Sequence, residues 1–593
     1  MQRKNVRKVF YRRQKQAQNI SRQAEENIDK LLLGRFSHLV AVRRFVSGWV
    51  VLWLLLALIT VYQVENLSSY YQTVKAVPGG IYNEGVLGTM TNVNPIYATN
   101  LVDTSISRLI FAGLFTYNSQ NQLVGCLASS YRVDNTGTLY TVKLKPHLTW
   151  QDGKPLTASD VVFTFDTIQN ANAQSPYYSS WQGITVSSPN PTTIQFKLPN
   201  PLASFPYNLT MGIIPKHILA TYAVSDLRSA NFNTTKPIGA GPFSWEALQV
   251  NGNTPQNANE RVALVPFNHY VLGKPKLNEF IINAYANKGQ LINAFSSGQL
   301  VAVAGLNRVP SQLKNDHSLH VQSRILTAGD YVFFRTNDGA LSDTTVRKAL
   351  VLASNPNAII SKLGYQTFPV NEPLLVGQLG YNPKYAQVTG QLAQAQKLLA
   401  QDGWTKGKNG MMVKGNQQLS FNLVTTNTSE NRLVARTLVS QWKLLGVDVT
   451  PVFESANTYT TTLQNHNYDM TLNGISIGID PDVFVYWDKS QYDPRSSNLN
   501  FSDWNNNKAS LALEAGRTRL NPALRIIKYQ PFLAAWQSDA PALGLFQPRF
   551  LYITSQTIYG MGDHEINSPA GRFNDVQNWE ISTAAVTDKK VKS

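Results

Sequence analysis

Asp480 and Asp482, one residue apart around Pro481, resemble the paired carboxylates that general acid–base chemistry uses. Asp-Pro-Asp is also a turn former, and Asp482 reads better as a turn or capping residue. His317 and His320 are spaced to share a helix face as metal ligands, but no third ligand lies nearby, so they read as surface histidines. Gly403-Trp-Thr-Lys-Gly-Lys-Asn-Gly is rich in glycine and lysine yet lacks the spacing of a phosphate-cradling loop. Neither an HExxH zinc pattern nor a GxSxG nucleophile elbow occurs. The single cysteine, Cys126, excludes a disulfide framework and a CxxC metal site, and reads as a small buried hydrophobe. No enzymatic role, cofactor or metal is expected.

The more informative residues are those that build a scaffold. Leu127 to Ile168 reads as a hairpin, a turn and a helix. Asp134-Asn-Thr-Gly137 is a turn cluster, and Tyr140, Val142 and Leu144 alternate with Thr141 and Lys143 at strand period. Asp152-Gly153 makes a second turn. Thr157 is placed to cap the next helix, with Asp160 three residues on where a capping box has Glu or Gln. Val161, Val162, Phe165 and Ile168 then give that helix one apolar face.

This run closely resembles the signature segment of the family 5 solute-binding proteins, the extracytoplasmic peptide- and nickel-binding subunits of ABC importers. Further resemblances follow in the family's order. They are Ile238-Gly-Ala-Gly-Pro-Phe-Ser, Val265-Pro-Phe-Asn-His-Tyr, Leu341-Ser-Asp-Thr-Thr-Val-Arg-Lys-Ala-Leu, Gln394 through Gly403-Trp404, Trp442-Lys-Leu-Leu-Gly-Val and Tyr468-Asp-Met-Thr-Leu-Asn-Gly. Together they span Gly80 to Tyr559, and Asp480-Pro-Asp overlays the family's own Asp-Pro run.

Composition is consistent with a large ectodomain. A chain of 593 residues suggests two to four lobes. The net charge of +17 is unevenly placed: residues 1–44 hold twelve Lys or Arg against three Asp or Glu, and the rest of the chain 41 against 33. No dense basic run interleaved with aromatics appears, so nucleic acid is not an expected partner. Phe45 to Val64 is twenty residues without a charge, long enough to cross a bilayer core of about 30 Å as a helix. Arg43 and Arg44 precede it, and Trp49 and Tyr62 sit near its ends. The basic flank predicts a cytoplasmic N-terminus and an outward-facing domain. The long preceding arm and the lack of an A-x-A site favour an uncleaved signal anchor over a signal peptide. The arm's Ile20, Ile28, Leu31, Leu32, Phe36, Leu39 and Val40 fit either a helix on the anionic leaflet or a partly disordered topology signal.

The resemblance implies an α/β, two-lobed periplasmic-binding-protein-like fold with an inserted subdomain, preceded by one transmembrane helix. Its expected divisions are a basic arm (1–44), an anchor (45–64), a tether (65–79), lobe I (80–115), the insert (116–205), lobe I again (206–328), lobe II (329–545), the return of lobe I (546–586) and a polar tail (587–593). Tyr331-Val-Phe-Phe and Leu545-Phe-Gln-Pro are the expected crossings. The resemblance places ligand contacts at Met90, Thr91 and Asn94 in one lobe and at Asn473, Gly474, Ile475, Ser476 and Asp480 in the other. Gly474 would let a ligand backbone approach or mark a bulge; both remain open. Dipeptide-binding relatives carry an ammonium-binding Asp, a carboxylate-binding Arg and a cleft Trp where this chain has Gly478, Thr425 and Ala456. Asp480 and Arg432 are the nearby candidates to replace those charges. The ring-stacking and arginine chemistry that the family uses for nickel chelates is not visible. The expected function is a membrane-tethered protein that captures peptides, with longer peptides favoured over dipeptides, and delivers them to ABC permease and ATPase subunits. A transporter-independent peptide sensor or scavenger is the alternative, and a monomer is expected.

Overall fold

The computed structural model describes residues 3–28, 43–252, 254, 257–493, 496 and 498–587. The chain divides into two compact units, Met1–Ala76 with Thr583–Ser593, and Val77–Ser582. In the first, Arg3–Ile28 and Arg43–Tyr71 are helices. The second helix contains Phe45–Val64, long and apolar enough to cross a membrane. The segment expected to be a plain tether instead continues that helix to Tyr71, then forms the strand Gln72–Val77, paired with Ser582–Thr587. Leu31, Leu32, Phe36, Leu39 and Val40 of the arm, and residues 588–593 of the tail, lie outside the described residues.

The larger unit is built on three principal sheets. A 7-stranded mixed sheet has the order His320–Ile325, Arg549–Thr554, Ala302–Ala304, Ile81–Leu87, Glu279–Tyr285, Asn259–Pro266, Phe243–Asn251. A 5-stranded sheet has the order Asp448–Glu454, Ser420–Thr426, Met470–Ser476, Ala328–Phe334, Ala542–Phe546. A 4-stranded antiparallel sheet joins the two signature strands, Ala128–Val133 and Leu139–Leu144, to Thr193–Lys197 and Thr185–Asn190.

Local chemistry shapes that region as its residues require. The Asp134 carboxylate accepts the N–H groups of Thr138 and Leu139 at 3.1 and 3.0 Å, closing the turn in which Gly137 takes φ 74°. Thr157 and Asp160 form the capping box of helix Ala158–Gln169. The second Asp160 oxygen accepts the Lys216 N–H at 3.1 Å, so the cap also fastens a distant segment. Phe165, Trp181, Phe196 and Phe205 pack as one aromatic group, with Phe165 and Trp181 stacked at 4.1 Å. The insert and the 7-stranded sheet share one core, in which Tyr140 and Val142 are buried with Tyr82 and Val86. Cys126 is buried in it, with its thiol pKa raised by that burial.

Two short connections join the 7-stranded and 5-stranded sheets. The chain passes outward at Leu326-Thr327 and returns at Gln547-Pro548. The connections touch: the Leu326 N–H donates to the Pro548 carbonyl at 2.9 Å, and the Gln547 amide donates to the Leu326 carbonyl at 3.2 Å. Beyond them Tyr331 and Phe333 enter one buried cluster while Val332 and Phe334 enter another. The strand is therefore covered on both faces, as a continuous apolar run requires. His317 lies outside regular structure and His320 opens a strand, so the two do not share a helix face.

Candidate functional site

A cavity of about 1270 Å³ lies between the insert and the 5-stranded lobe. The wall on the insert side, within 115–207, carries the aromatic residues Phe115, Tyr131, Tyr140 and Tyr207 beside polar Gln120, Asn121, Gln122, Ser129 and Ser130. Tyr131 meets Phe115 edge-on at 5.5 Å and stacks on Tyr140 at 6.3 Å, so each ring is braced by the next. The facing wall comes from Val376–Leu379, Ile479–Pro481 and the start of helix Pro522–Asp539. Thr327, His564 and Glu565 close the end beside the crossings.

Asp480 lines this cavity but is already engaged. Arg525 grips it with two bonds of 2.6 Å, and both side chains are buried. Burial alone would lower the Arg525 pKa; the bonds and charge of Asp480 outweigh that and hold it above the ordinary value. The pair presents a neutral polar wall, not the free carboxylate that an ammonium anchor needs. Asp482 is not a simple cap either. Its N–H donates to the Asp480 carbonyl at 2.9 Å, as a turn residue should, while its carboxylate accepts from Arg517 at 2.9 Å and from the Ser204 hydroxyl at 3.0 Å. Ser204 belongs to the insert side, and the neighbouring Ala203 N–H donates to the Arg517 carbonyl at 2.9 Å. Asp482 therefore bridges the two walls.

Asn473, Gly474, Ile475 and Ser476 end a strand that pairs in continuous antiparallel register with Ala328–Phe334. On its other edge the parallel neighbour Ser420–Thr426 pairs only as far as Thr471. Because the Ile477 N–H donates to Thr327, alternation directs the backbone groups of Leu472, Gly474 and Ser476 to that open edge. Side chains take two of the carbonyls there: Tyr459 donates to Leu472 at 2.8 Å and Tyr486 to Ser476 at 2.9 Å. Gly474 lies between, with no ladder partner on that side among the described residues. The ladder through Gly474 shows no bulge. A Cβ there would meet the Asp330 carboxylate at 2.6 Å, so the glycine makes room for that acid. Asp330 is itself pushed up to about 7, by burial first and by the Glu430 charge second.

Of the expected contacts only Asp480 lines the cavity; Asn473 to Ser476 do not line it, and Met90, Thr91 and Asn94 are engaged elsewhere. The Met90 N–H donates to Glu260 at 2.6 Å, the Thr91 N–H to Asp103 at 2.8 Å, and the fully buried Asn94 amide to Asn233 at 3.0 Å. These groups pin a loop. Gly478 takes φ 77° and is held at both ends, its N–H on Thr327 at 2.9 Å and its carbonyl accepting from Gln378 at 2.6 Å. Thr425 is fully buried, donating to the Leu472 carbonyl at 2.9 Å, and Arg432 lies over the Phe453 ring at 4.8 Å. Neither lines the cavity, so Arg432 does not replace the missing arginine there. Sequence reasoning missed Tyr131, Tyr207, Gln378, Arg525 and Glu565. Tyr131 lies in the recognised hairpin and could have been noticed as an exposed aromatic; the others carry no local signal.

The profile described as "Bacterial extracellular solute-binding proteins, family 5 Middle" matches residues 122–495. The chain belongs to that family. The oligopeptide-binding protein AppA of Bacillus subtilis is 24% identical over 543 residues, covering 87% of this chain and 94% of its own length. The structure of B. subtilis AppA in complex with a nonapeptide superposes with a TM-score of 0.70 at 22% identity, covering 86% of this chain and 100% of that one. The ABC transporter substrate-binding protein CtaP of Listeria monocytogenes gives a TM-score of 0.72 at 24% identity, covering 85% and 99%. The fold is that of the two-lobed α/β binding proteins, and the family is one of solute binders.

Proposed function

We propose that this protein captures extracytoplasmic peptides longer than dipeptides and presents them to an ABC importer, held at the membrane by Phe45–Val64. The observation that carries the reading is the strand edge at Gly474, which has no ladder partner on that side among the described residues and precedes the cavity wall at Ile479–Pro481 by five positions. A strand edge binds any extended peptide through main-chain hydrogen bonds, largely independent of its sequence. The cavity exceeds the range of about 300–1,000 Å³ usual for compact small ligands, which suits an extended occupant. Similarity to peptide-binding relatives, one solved with a nonapeptide, supports the same ligand class. Asp480 is neutralised and Gly478 carries no charge, so the short zwitterions for which dipeptide binders provide two charged anchors are disfavoured. The divisions at 80, 116, 206, 329 and 546, and the contacts at Asn473 to Ser476, belong to this proposal.

Calorimetry of the full-length protein against one peptide series, from two to eight residues, is the test. Affinity should rise with length and level off once the edge is filled. Tightest binding at two residues would overturn the reading. Purification from membranes then separates delivery from sensing: co-purifying permease and ATPase subunits support import, and their absence supports a sensor or scavenger. Protease shaving of intact cells should release a fragment starting near residue 65; protection of the large domain until lysis would refute the topology.

A further inference from the structure

We propose that Glu565 is the cavity's receptor for a cationic group of the ligand, either the peptide's ammonium terminus or a Lys or Arg side chain. This rests on the peptide-binding reading above and adds what the site selects for. Among the residues that line the cavity, the charged side chains are Asp480, Arg525 and Glu565, with His564 beside them. Asp480 and Arg525 cancel each other in their two-bond pair. Glu565 has neither ion pair nor hydrogen bond among the described residues, and it is exposed to the cavity. The chain carries +17, yet the cavity it offers to a ligand holds an unmatched negative charge and no unmatched Lys or Arg. The aromatic wall adds to the same preference, because Tyr131 and Tyr207 line the cavity and tyrosine rings attract cations.

The position of Glu565 is held by its neighbour. The Ile566 N–H donates to the Ile325 carbonyl at 3.2 Å and its carbonyl accepts from the Thr327 N–H at 3.1 Å, while the Thr327 hydroxyl donates to Asn567 at 2.7 Å. The carboxylate thus rises from a segment clamped to the outgoing crossing. That crossing also accepts the N–H groups of Ile477 and Gly478, immediately after the open strand edge. A peptide lying along the edge would reach this end of the cavity with its next residue or its terminus. A carboxylate carried on that clamped segment is placed to form a charge-assisted bond with a cation of the ligand.

Four C-terminally amidated alanine-based pentapeptides separate the possibilities: one with a free amino terminus, one N-acetylated, one N-acetylated with a central lysine, and one N-acetylated with norleucine in place of that lysine. Calorimetry would use full-length protein in detergent, wild type against Glu565→Gln and Glu565→Asp. The first peptide exceeding the second in wild type identifies the terminus as the cation, and the third exceeding the fourth identifies the side chain. The expected advantage is about tenfold. Glu565→Gln should remove the advantage and leave the neutral peptides unchanged, while Glu565→Asp retains part of it. Glu565 is exposed and has no partner among the described residues, so its variants should melt with wild type. An equal advantage in wild type and Glu565→Gln, or none in wild type, overturns this assignment while peptide binding stands. Failure of every peptide to bind wild type overturns the proposed function and this assignment together.

Discussion

Two buried arginine–carboxylate pairs, each closed at 2.6 Å, perform different work in this protein. Glu84 and Arg572 are fully excluded from solvent. Around them Tyr552 donates to Glu84 at 2.5 Å, Arg572 donates to Ser105 at 2.9 Å, and the Phe573 ring lies 4.0 Å from the guanidinium. This pair ties strand Ile81–Leu87 to a segment 488 residues later, so it closes the first lobe on its own returning chain. Asp480 and Arg525 are 45 residues apart and face the cavity, and the Arg525 Nε has no hydrogen-bond partner among the described residues. The same chemistry serves as an internal fastening in one place and as a neutral cavity-facing surface in the other. What separates the roles is access to water, because an ion's desolvation cost depends on what surrounds the pair.

Breaking the inner pair should have the largest effect. Arg572→Met strands a carboxylate in the core and should cost about 3–5 kcal/mol of stability, read by thermal or urea unfolding of the full chain. Adding Glu84→Leu should recover much of that loss; if the double variant is no more stable than the single, the cost lies in packing and not in the unpaired charge. Breaking the outer pair should cost less, about 1–3 kcal/mol for Arg525→Met, since cavity water can solvate the freed Asp480. The same variant should tighten binding of cationic peptides about tenfold, because it restores a free acid to the wall. Unchanged affinity would mean that Asp480 does not face the ligand.

A third acid, Asp330, sharpens the contrast, since it has no partner among the described residues that would keep it charged. Asp330 rises from its ordinary 3.8 to about 7 on folding, chiefly through burial and then through Glu430. Between those values the folded state binds a proton that the unfolded state has lost, so its contribution to stability is present below the lower value and disappears as pH rises to the upper one. Asp330→Asn should therefore melt increasingly above wild type from about pH 4 to pH 7, with a constant gap beyond. A difference that does not vary with pH would show that the carboxyl titrates normally. The smallest effect is expected at the bridge between walls. Ser204→Ala removes one of Asp482's two side-chain donors while Arg517 stays in place, and should cost about 0.5–1.5 kcal/mol.

The signature hairpin and its helix are legible in the sequence, since the Asp134 turn and the Thr157–Asp160 box draw on residues within five positions of each other. Tyr331-Val-Phe-Phe was readable as a strand for a related reason: four consecutive large apolar residues can be buried only if both faces of their sheet are covered. The open edge near Gly474 was located by resemblance, though the reason for the glycine was not, because the acid that occupies its side-chain space is 144 positions away in the chain.

The sequence by itself thus determined the family, the order of the elements and the apolar helix at Phe45–Val64. Each depends on short-range patterns of polarity, turn residues and caps. Only the tertiary structure decided which charges remain for a ligand. Asp480 looked free until folding brought Arg525 against it, and Glu565 gave no local signal until the return of the chain clamped Ile566 beside Thr327. Met90, Thr91 and Asn94 were drawn the other way, into bonds with Glu260, Asp103 and Asn233. A local pattern specifies which groups a segment carries. Whether those groups are satisfied depends on partners set by long-range packing, and a ligand site is made of the groups that packing leaves unsatisfied.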